Sequence, residues 1–200
     1  MIAIPKTFIR KLEQFEKKLV EKGIRKAGPI IAVSGRSGSG KSEAVRLILK
    51  ALPKMRRVYV GGLFREKARE KGMSIEEFSR TRTEGFDCHA DEWLLRESIK
   101  GNAVSDGHIS AWVVGNWADV RILVTCPMEM RARRIARREN VSEKDAKRMI
   151  AERDSANARH YSDAYGIDMD DNSVYTHVID NSGTLRDLKK KVNGALCSLR

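Results

Sequence analysis

The sequence predicts an α/β fold in which a parallel sheet of five strands is covered by helices on both faces. Five short segments are apolar and rich in β-branched residues, as buried strands are, and they span 30–33, 58–60, 103–105, 120–124 and 177–179. Helical segments separate all five strands, an alternation that is typical of a parallel sheet. A glycine-rich loop and a helix follow the first strand directly.

The length and composition suit one domain of this class. A chain of 200 residues with 41% hydrophobic residues can bury a full core. We expect no membrane span, because no run of 18 apolar residues occurs, and the first residues lack the apolar core of a secretory signal. The three cysteines, Cys88, Cys126 and Cys197, lie far apart without metal-ligand spacing. That usage fits a reducing cytosol, so we expect a cytoplasmic protein.

Two helical regions lie outside the strand pattern. Residues 7–22 carry Phe8, Leu12, Phe15 and Leu19 at helical spacing before Gly23 and Gly28-Pro29 break the helix. We therefore divide the chain into a helical extension, residues 1–28, and a main domain, residues 29–200. Within the main domain, Ser74 and Glu77 form a capping box, and a further helix is expected from about residue 91 to residue 100.

The loop after the first strand, "GRSGSGKS", matches the phosphate-binding pattern G-x-x-x-x-G-K-[ST] at every fixed position. Its glycines permit backbone angles that side chains forbid, so the N–H groups of the loop can converge on phosphate oxygens. Lys41 is expected to reach the β- and γ-phosphates of ATP, and Ser42 to bind Mg²⁺. The residues expected to bind ATP are Gly35, Arg36, Ser37, Gly38, Ser39, Gly40, Lys41 and Ser42.

The alternative is a glycine-rich turn without a ligand. The strand before the loop and the helix after it are the context that the motif requires, and they favour nucleoside triphosphate binding. Motor ATPases, GTPases and small-molecule kinases all use such a loop, so the loop alone leaves the destination of the phosphoryl group open.

Ligands of open α/β sheets bind at the carboxyl ends of the strands. These ends should gather Gly35, Gly61-Gly62, Asp106, Cys126-Pro127 and Asn181-Ser182 around one crevice. Asp106 follows the third strand, where a carboxylate can hold the water shell of Mg²⁺. The alternative is an aspartate that only caps the strand end.

The net charge of +12 can indicate either nucleic-acid binding or a pocket for polyanionic nucleotides. Eight arginines lie between residues 131 and 159, after the fourth strand. Arginine suits bidentate contact with phosphate, and we interpret residues 128–165 as a lid that closes on nucleotide. A solvated basic helix is the alternative for some of these residues.

Four further segments, together with the loop, resemble the nucleoside monophosphate kinases, and most of all the archaeal-type cytidylate kinases. They are "VGGLFREKAREKGMSIEEFS", "SDGHISAWVV", "CPMEMRARRIARRE" and "RHYSDAYGIDMDDNSVYTHVIDNS", and the similarity runs from about residue 30 to residue 181. The resemblance implies a three-layer P-loop kinase fold with strand order 2-3-1-4-5. It also implies transfer of the γ-phosphoryl group of ATP to a nucleoside monophosphate, CMP or dCMP, with Mg²⁺.

The resemblance carries roles onto residues of this chain. It implies catalytic roles for Lys41 and Asp106, with Asp106 and Ser42 at the metal. Arg65 would bind the α-phosphate of the acceptor, within an acceptor-binding segment of about residues 63–100. Arg131 and Arg134 match the lid arginines of the family. Arg153 and Arg159 match basic positions of the following helix, and they would clamp both phosphate chains when the lid closes.

The chain departs from the family at His108, where the family has an arginine that contacts the acceptor phosphate. A neutral imidazole donates one hydrogen bond where guanidinium donates five. The other departure is the extension at the N-terminus. For the base, the region 74–91 offers several polar side chains, and Asp87 can accept from the exocyclic amine of cytosine. Asp87 can equally be a helix cap.

Two other functions stay open. The chain can be a kinase for another small acceptor, such as AMP or a metabolite alcohol. It can also be an ATP-binding regulator or RNA-associated protein with weak kinase activity, which the charge and His108 support modestly. Nucleic-acid binding is possible but not favoured, no membrane partner is expected, and a monomer is slightly favoured over an oligomer.

Overall fold

The computed structural model describes residues 14–15, 17–23, 26–74, 77–78, 81 and 83–199. Its sheet contains β1 (Ile30–Ser34), β2 (Arg56–Tyr59), β3 (Ala103–Asp106), β4 (Val120–Thr125) and β5 (His177–Asp180). The strand order is β2-β3-β1-β4-β5, and every pair of neighbours is parallel. The predicted parallel sheet and the implied strand order are therefore confirmed.

Seven α-helices have bounds that the structure describes. They are α1 (Lys41–Ala51), α2 (Val60–Glu70), α3 (Glu84–Ile99), α4 (Ser110–Val114), α5 (Met128–Glu139), α6 (Glu143–Tyr165) and α7 (Leu185–Leu196). None of the helices in the described part of the chain is both long and apolar enough to cross a bilayer.

The central strand β1 is buried on both of its faces. Ile30 and Ala32 pack into a cluster with α3, α4 and the end of α6, whereas Ile31 and Val33 pack into a second cluster with α1 and α7. All four side chains are fully buried. A continuous apolar run buried on both faces is what a parallel sheet between two helical layers requires.

Helices α5 and α6 share a third, smaller apolar cluster. It consists of Ala132, Ile135, Ala136, Ala146 and Ile150. The segment predicted as a lid thus has apolar packing of its own, apart from the clusters that flank the sheet. Closure of this segment is not tested by the structure and stays a prediction.

Two predicted boundaries are wrong. The second strand was expected at 58–60, but β2 spans Arg56–Tyr59 and Val60 begins α2. Because this edge strand begins with two arginines, a search for runs of apolar residues does not detect its start. The helix expected from about residue 91 begins at Glu84, where the Thr83 hydroxyl accepts a hydrogen bond of 3.3 Å from the Phe86 N–H.

The capping box of residues 74–77 is confirmed. The Ser74 N–H donates to the Glu77 carboxylate at 2.8 Å, and the Glu77 N–H donates to the Ser74 hydroxyl at 3.1 Å. The two bonds satisfy donors that a helix start leaves without intrahelical partners.

The described part of the N-terminal helix contributes to the main core. Residues 14–15 and 17–21 are helical, and Leu19 is buried in the same cluster as Ile30, with Phe15 packed against it. Phe8 and Leu12 lie outside the described residues. The division into residues 1–28 and 29–200 stays a prediction.

Replacement of Leu95 by alanine should lower the free energy of unfolding by about 2–5 kcal/mol, because the cavity left in the core cannot fully collapse. Leu95 is 0% exposed in the cluster of α3 and α4. The same substitution at Leu185, which is 55% exposed, is the matched control and should change stability by less than about 0.5 kcal/mol. Urea denaturation of both variants measures the difference, and equal losses would contradict this assignment of the core.

Candidate active site

The glycine-rich loop connects β1 to α1 in a conformation that needs glycine. Gly38 and Gly40 have φ values of 78° and 93°, in the left-handed region that favours glycine. A Cβ atom at Gly40 would also collide with the side-chain amide of Asn181. Gly40 is the N-cap of α1 and makes no side-chain capping bond, so the helix start presents backbone N–H groups to an anion.

A cavity of about 410 Å³ extends from this loop toward α2, α3 and α6. Most of the predicted site residues line it. They are Gly35, Arg36, Ser37, Gly38, Gly40, Lys41, Ser42, Arg65, Asp87, His108, Arg134 and Arg153. Phosphate-binding and acceptor-binding candidates therefore line one cavity.

Four predicted residues are not among those that line the cavity. Ser39, Asp106 and Arg131 are buried beside it, whereas Arg159 is exposed on α6. Of the expected crevice residues, Gly61 lines the cavity, and Asn181 contacts the loop from behind. Cys126 is partly buried at the end of β4, and this burial raises the pKa of its thiol.

Asp106 is fully buried between two cations. One carboxylate oxygen contacts the Lys41 ammonium, and the other accepts a hydrogen bond of 2.9 Å from Arg57 Nε. The register of the sheet places Tyr59 opposite Asp106, so Arg57 on the adjacent strand β2 reaches the carboxylate. Sequence reasoning missed Arg57, because the second strand was expected to begin at residue 58 and Arg57 then lay outside the sheet.

Three cationic side chains lie close to the ring of Tyr59. The Arg57 guanidinium lies 4.1 Å from the ring centroid, Arg65 lies 5.4 Å away and Lys41 lies 6.0 Å away. The Tyr59 hydroxyl also accepts a hydrogen bond from Arg65. Because an aromatic face attracts cations, Tyr59 holds Arg65 at the wall of the cavity. Tyr59 was not among the predicted site residues.

Arg131 connects the loop to α5 and α6. Its Nε donates to the Ser37 carbonyl at 2.7 Å, and its guanidinium pairs with Asp154 of α6 at 2.8 Å. Arg36 of the loop lies 3.6 Å from Asp154 and 2.6 Å from Asp170. The buried Arg131 thus joins the loop, α5 and α6 in one network of ion pairs.

Arg134 holds the next part of the loop. It donates to the carbonyls of Gly38 and Ser39 at 3.2 and 3.1 Å, and to the Asn181 carbonyl at 2.9 Å. The Asn181 amide also donates to the Ser39 carbonyl, at 2.8 Å. Three successive loop carbonyls, from Ser37 to Ser39, therefore have donors from behind the loop. Only Arg134 of these donors also lines the cavity.

Part of the cavity wall is acidic and amide-bearing. Asp87 and Asp91 lie one turn apart on α3, and Asn157 and Tyr161 lie one turn apart on α6; all four side chains are buried and line the cavity. His160 Nε2 contacts the Asp87 carboxylate. The i,i+4 spacing on both helices was a signal in the sequence, but only the packing of α3 and α6 shows that they face one cavity.

Tyr165 packs behind these side chains. Its ring stacks on Tyr161 with the centroids 6.1 Å apart. Burial, followed by the charges of Asp91, Cys88 and Asp87, raises the pKa of the Tyr165 phenol well above its usual range. The phenol therefore stays protonated, and its hydroxyl donates to the Cys88 sulfur at 3.9 Å and hydrogen-bonds with Asp91.

Comparison with known proteins gives consistent relatives. A model described as the cytidylate kinase-like family matches residues 86–183. A cytidylate kinase of Staphylothermus marinus is 37% identical over 75% of this chain and 85% of its own length. A cytidylate kinase of Pyrobaculum aerophilum is 40% identical over 76% of this chain and 84% of its own length.

Among solved structures, the shikimate kinase of Acinetobacter baumannii in complex with shikimate has a TM-score of 0.56 at 17% identity. The match covers 86% of this chain and 95% of that one, and at this identity it supports the fold alone. With the fold and the curated relatives in agreement, the chain belongs to the cytidylate kinase-like family.

Proposed function

We propose that this protein transfers the γ-phosphoryl group of ATP to a nucleoside monophosphate, with CMP or dCMP as the acceptor. The single observation that carries the proposal is the cavity itself. Its wall combines a phosphate-binding loop that carries Lys41 with the Asp87 and Asp91 side chains of α3. Cationic groups suit the phosphate chains, and acidic groups suit a base that bears an amine.

In this reaction the protein positions the two substrates and neutralises their charge, and it supplies little covalent chemistry. An oxygen of the acceptor phosphate forms a bond to the γ-phosphorus while the bond to the β–γ bridging oxygen breaks. The products are ADP and a nucleoside diphosphate. The loop amides would hold the donor phosphates, and Lys41 would stabilise the negative charge on the transferred group.

Mg²⁺ fits the residues at the start of α1. Ser42 lines the cavity there, and the fully buried Asp106 ends the neighbouring strand β3. Within the described ranges, no three His, Cys, Asp or Glu residues cluster as a metal site. Such a sparse donor set suits Mg²⁺, which keeps several waters and binds substrate phosphates. The Ser42 hydroxyl would bind it and Asp106 would hold its water; bound there, it would neutralise phosphate charge.

The acceptor phosphate would lie between Arg65, His108 and Arg153. All three line the cavity, and Arg65 is held by Tyr59. Two guanidinium groups supply bidentate donors where His108 supplies an imidazole, so the family arginine missing at position 108 has nearby substitutes. Arg159 is exposed and away from the cavity wall, so its proposed role requires movement of α6.

A coupled assay of ADP formation with a series of nucleoside monophosphates tests the proposal, with Lys41→Ala as the diagnostic variant. We expect turnover with CMP and dCMP, and a loss of kcat of about 10²–10³-fold in the variant, because a preorganised charge is removed from the transition state. Lys50→Ala, in the exposed last turn of the same helix, is the matched control and should keep its activity.

The outcomes of that assay separate the three functions. Turnover of AMP or of a metabolite alcohol in place of CMP would support a kinase for another acceptor. No turnover with any acceptor, together with RNA binding that weakens steeply with salt, would support the regulator and overturn the proposal.

Ser42→Ala should raise the Mg²⁺ concentration needed for half-maximal activity by about tenfold or more, because one oxygen ligand is lost. The affinity for ATP without Mg²⁺, measured by calorimetry, should stay the same, since the loop amides remain. An unchanged Mg²⁺ requirement would contradict the role of Ser42, and a loss of metal-free ATP binding would instead indicate damage to the loop.

Arg131→Ala should lower the free energy of unfolding by about 3 kcal/mol, because the largely buried Asp154 loses its nearest cation. It should also weaken ATP binding about tenfold, because the Ser37 carbonyl loses a charged donor. Arg137→Ala, at an exposed site of the same helix, is the control. Thermal unfolding and ATP titration measure both effects, and a stable variant with native ATP affinity would contradict the assignment.

A further inference from the structure

His160 lies on α6 beside Asp87, which lines the cavity. Its Nε2 atom contacts one oxygen of the Asp87 carboxylate on α3. Asp87 is 2% exposed, and its carboxylate lines the cavity. A carboxylate removed from water this completely is costly unless polar groups meet it, so the imidazole is part of what keeps Asp87 at this position.

The orientation of the imidazole is itself fixed by aromatic packing. The His160 ring meets the Tyr161 ring at 68° with the centroids 5.6 Å apart, and the Tyr165 ring at 75° with the centroids 6.3 Å apart. Edge-to-face contacts of this kind are favourable and directional. Because Tyr161 also lines the cavity, the two tyrosines, the imidazole and the carboxylate form one packed unit beside the ligand space.

An ionised carboxylate offers about four lone-pair directions, so contact with one imidazole leaves acceptor capacity on Asp87 for a ligand. The exocyclic amine of cytosine is a donor and suits a carboxylate. Uracil presents a carbonyl oxygen at the same place, and two acceptors facing each other repel. The direction in which the carboxylate points therefore decides between the two pyrimidines.

We infer that His160 is a positioning residue that directs the Asp87 carboxylate at the base of the acceptor and so sets the preference for CMP over UMP. The inference rests on the proposed function and extends it from the reaction to the choice of base. His160 acts through Asp87 and does not itself touch the reacting phosphates.

The test compares His160→Ala and His160→Gln with the wild type in steady-state kinetics on CMP and UMP. In His160→Ala, KM for CMP should rise about tenfold while kcat changes little, since one discriminating contact of the base is lost. The ratio of kcat/KM for CMP to that for UMP should fall by a similar factor. His160→Gln, whose amide can reach the position of Nε2, should recover most of the ratio.

Asp87→Asn and the double variant supply a readout that a merely structural role would not move. Asp87→Asn should lower the CMP-to-UMP ratio more than His160→Ala does. Adding His160→Ala to it should change the ratio little further, because His160 acts only through the carboxylate. His177→Ala on β5, away from the cavity, is the matched control and should keep the wild-type ratio.

The two levels of the proposal fail in different ways. If the wild type phosphorylates CMP but His160→Ala keeps its KM and its CMP-to-UMP ratio, the inference about His160 is overturned and the proposed function stands. If His160→Ala loses kcat equally on both acceptors without a change in the ratio, the residue is structural and the inference is again overturned. If the wild type phosphorylates neither CMP nor dCMP, the proposed function and the inference fall together.

Discussion

The orientation of the loop backbone depends on donors that hold its carbonyl groups from behind. Arg131 donates a hydrogen bond to the Ser37 carbonyl, and Arg134 donates to the carbonyls of Gly38 and Ser39. The Asn181 amide also donates to the Ser39 carbonyl. A peptide group whose C=O points one way has its N–H pointing the other way, so these contacts turn the N–H groups of Gly38 and Gly40 away from the donors, whereas the Ser39 N–H donates to the Arg36 carbonyl at 3.1 Å. The anion-binding property of the loop thus depends on side chains from α5 and from the end of β5.

This arrangement gives the arginines after β4 a second purpose beside any contact with nucleotide. Arg131 is buried and paired with Asp154, so in this structure its charge supports the loop and the packing of α5 on α6. The same contacts connect α5 and α6 to the glycine-rich loop, because Arg36 of the loop also reaches α6 and the segment after it. Any motion of α5 and α6 would therefore also move the loop.

The cavity wall combines charges of both signs. Lys41, Arg65, Arg134 and Arg153 line it together with Asp87 and Asp91. Under the proposed function, the cations would attract the phosphates and the carboxylates would attract an amine-bearing base. His108 also lines the cavity, at a position where the family pattern has an arginine.

The sequence by itself determined the features that are local. The glycine-rich loop, the five strands, their parallel arrangement and the capping box at Ser74 follow from motifs and periodicities along the chain, and they agree with the structure except for the bounds of the second strand. Only the tertiary structure decided which distant side chains meet: Arg57 with Asp106, Arg131 with Asp154, and His160 with Asp87. These pairs depend on strand order and on how helices pack. The residues next to a charged side chain in the sequence do not show whether it faces solvent or is buried against a partner far along the chain.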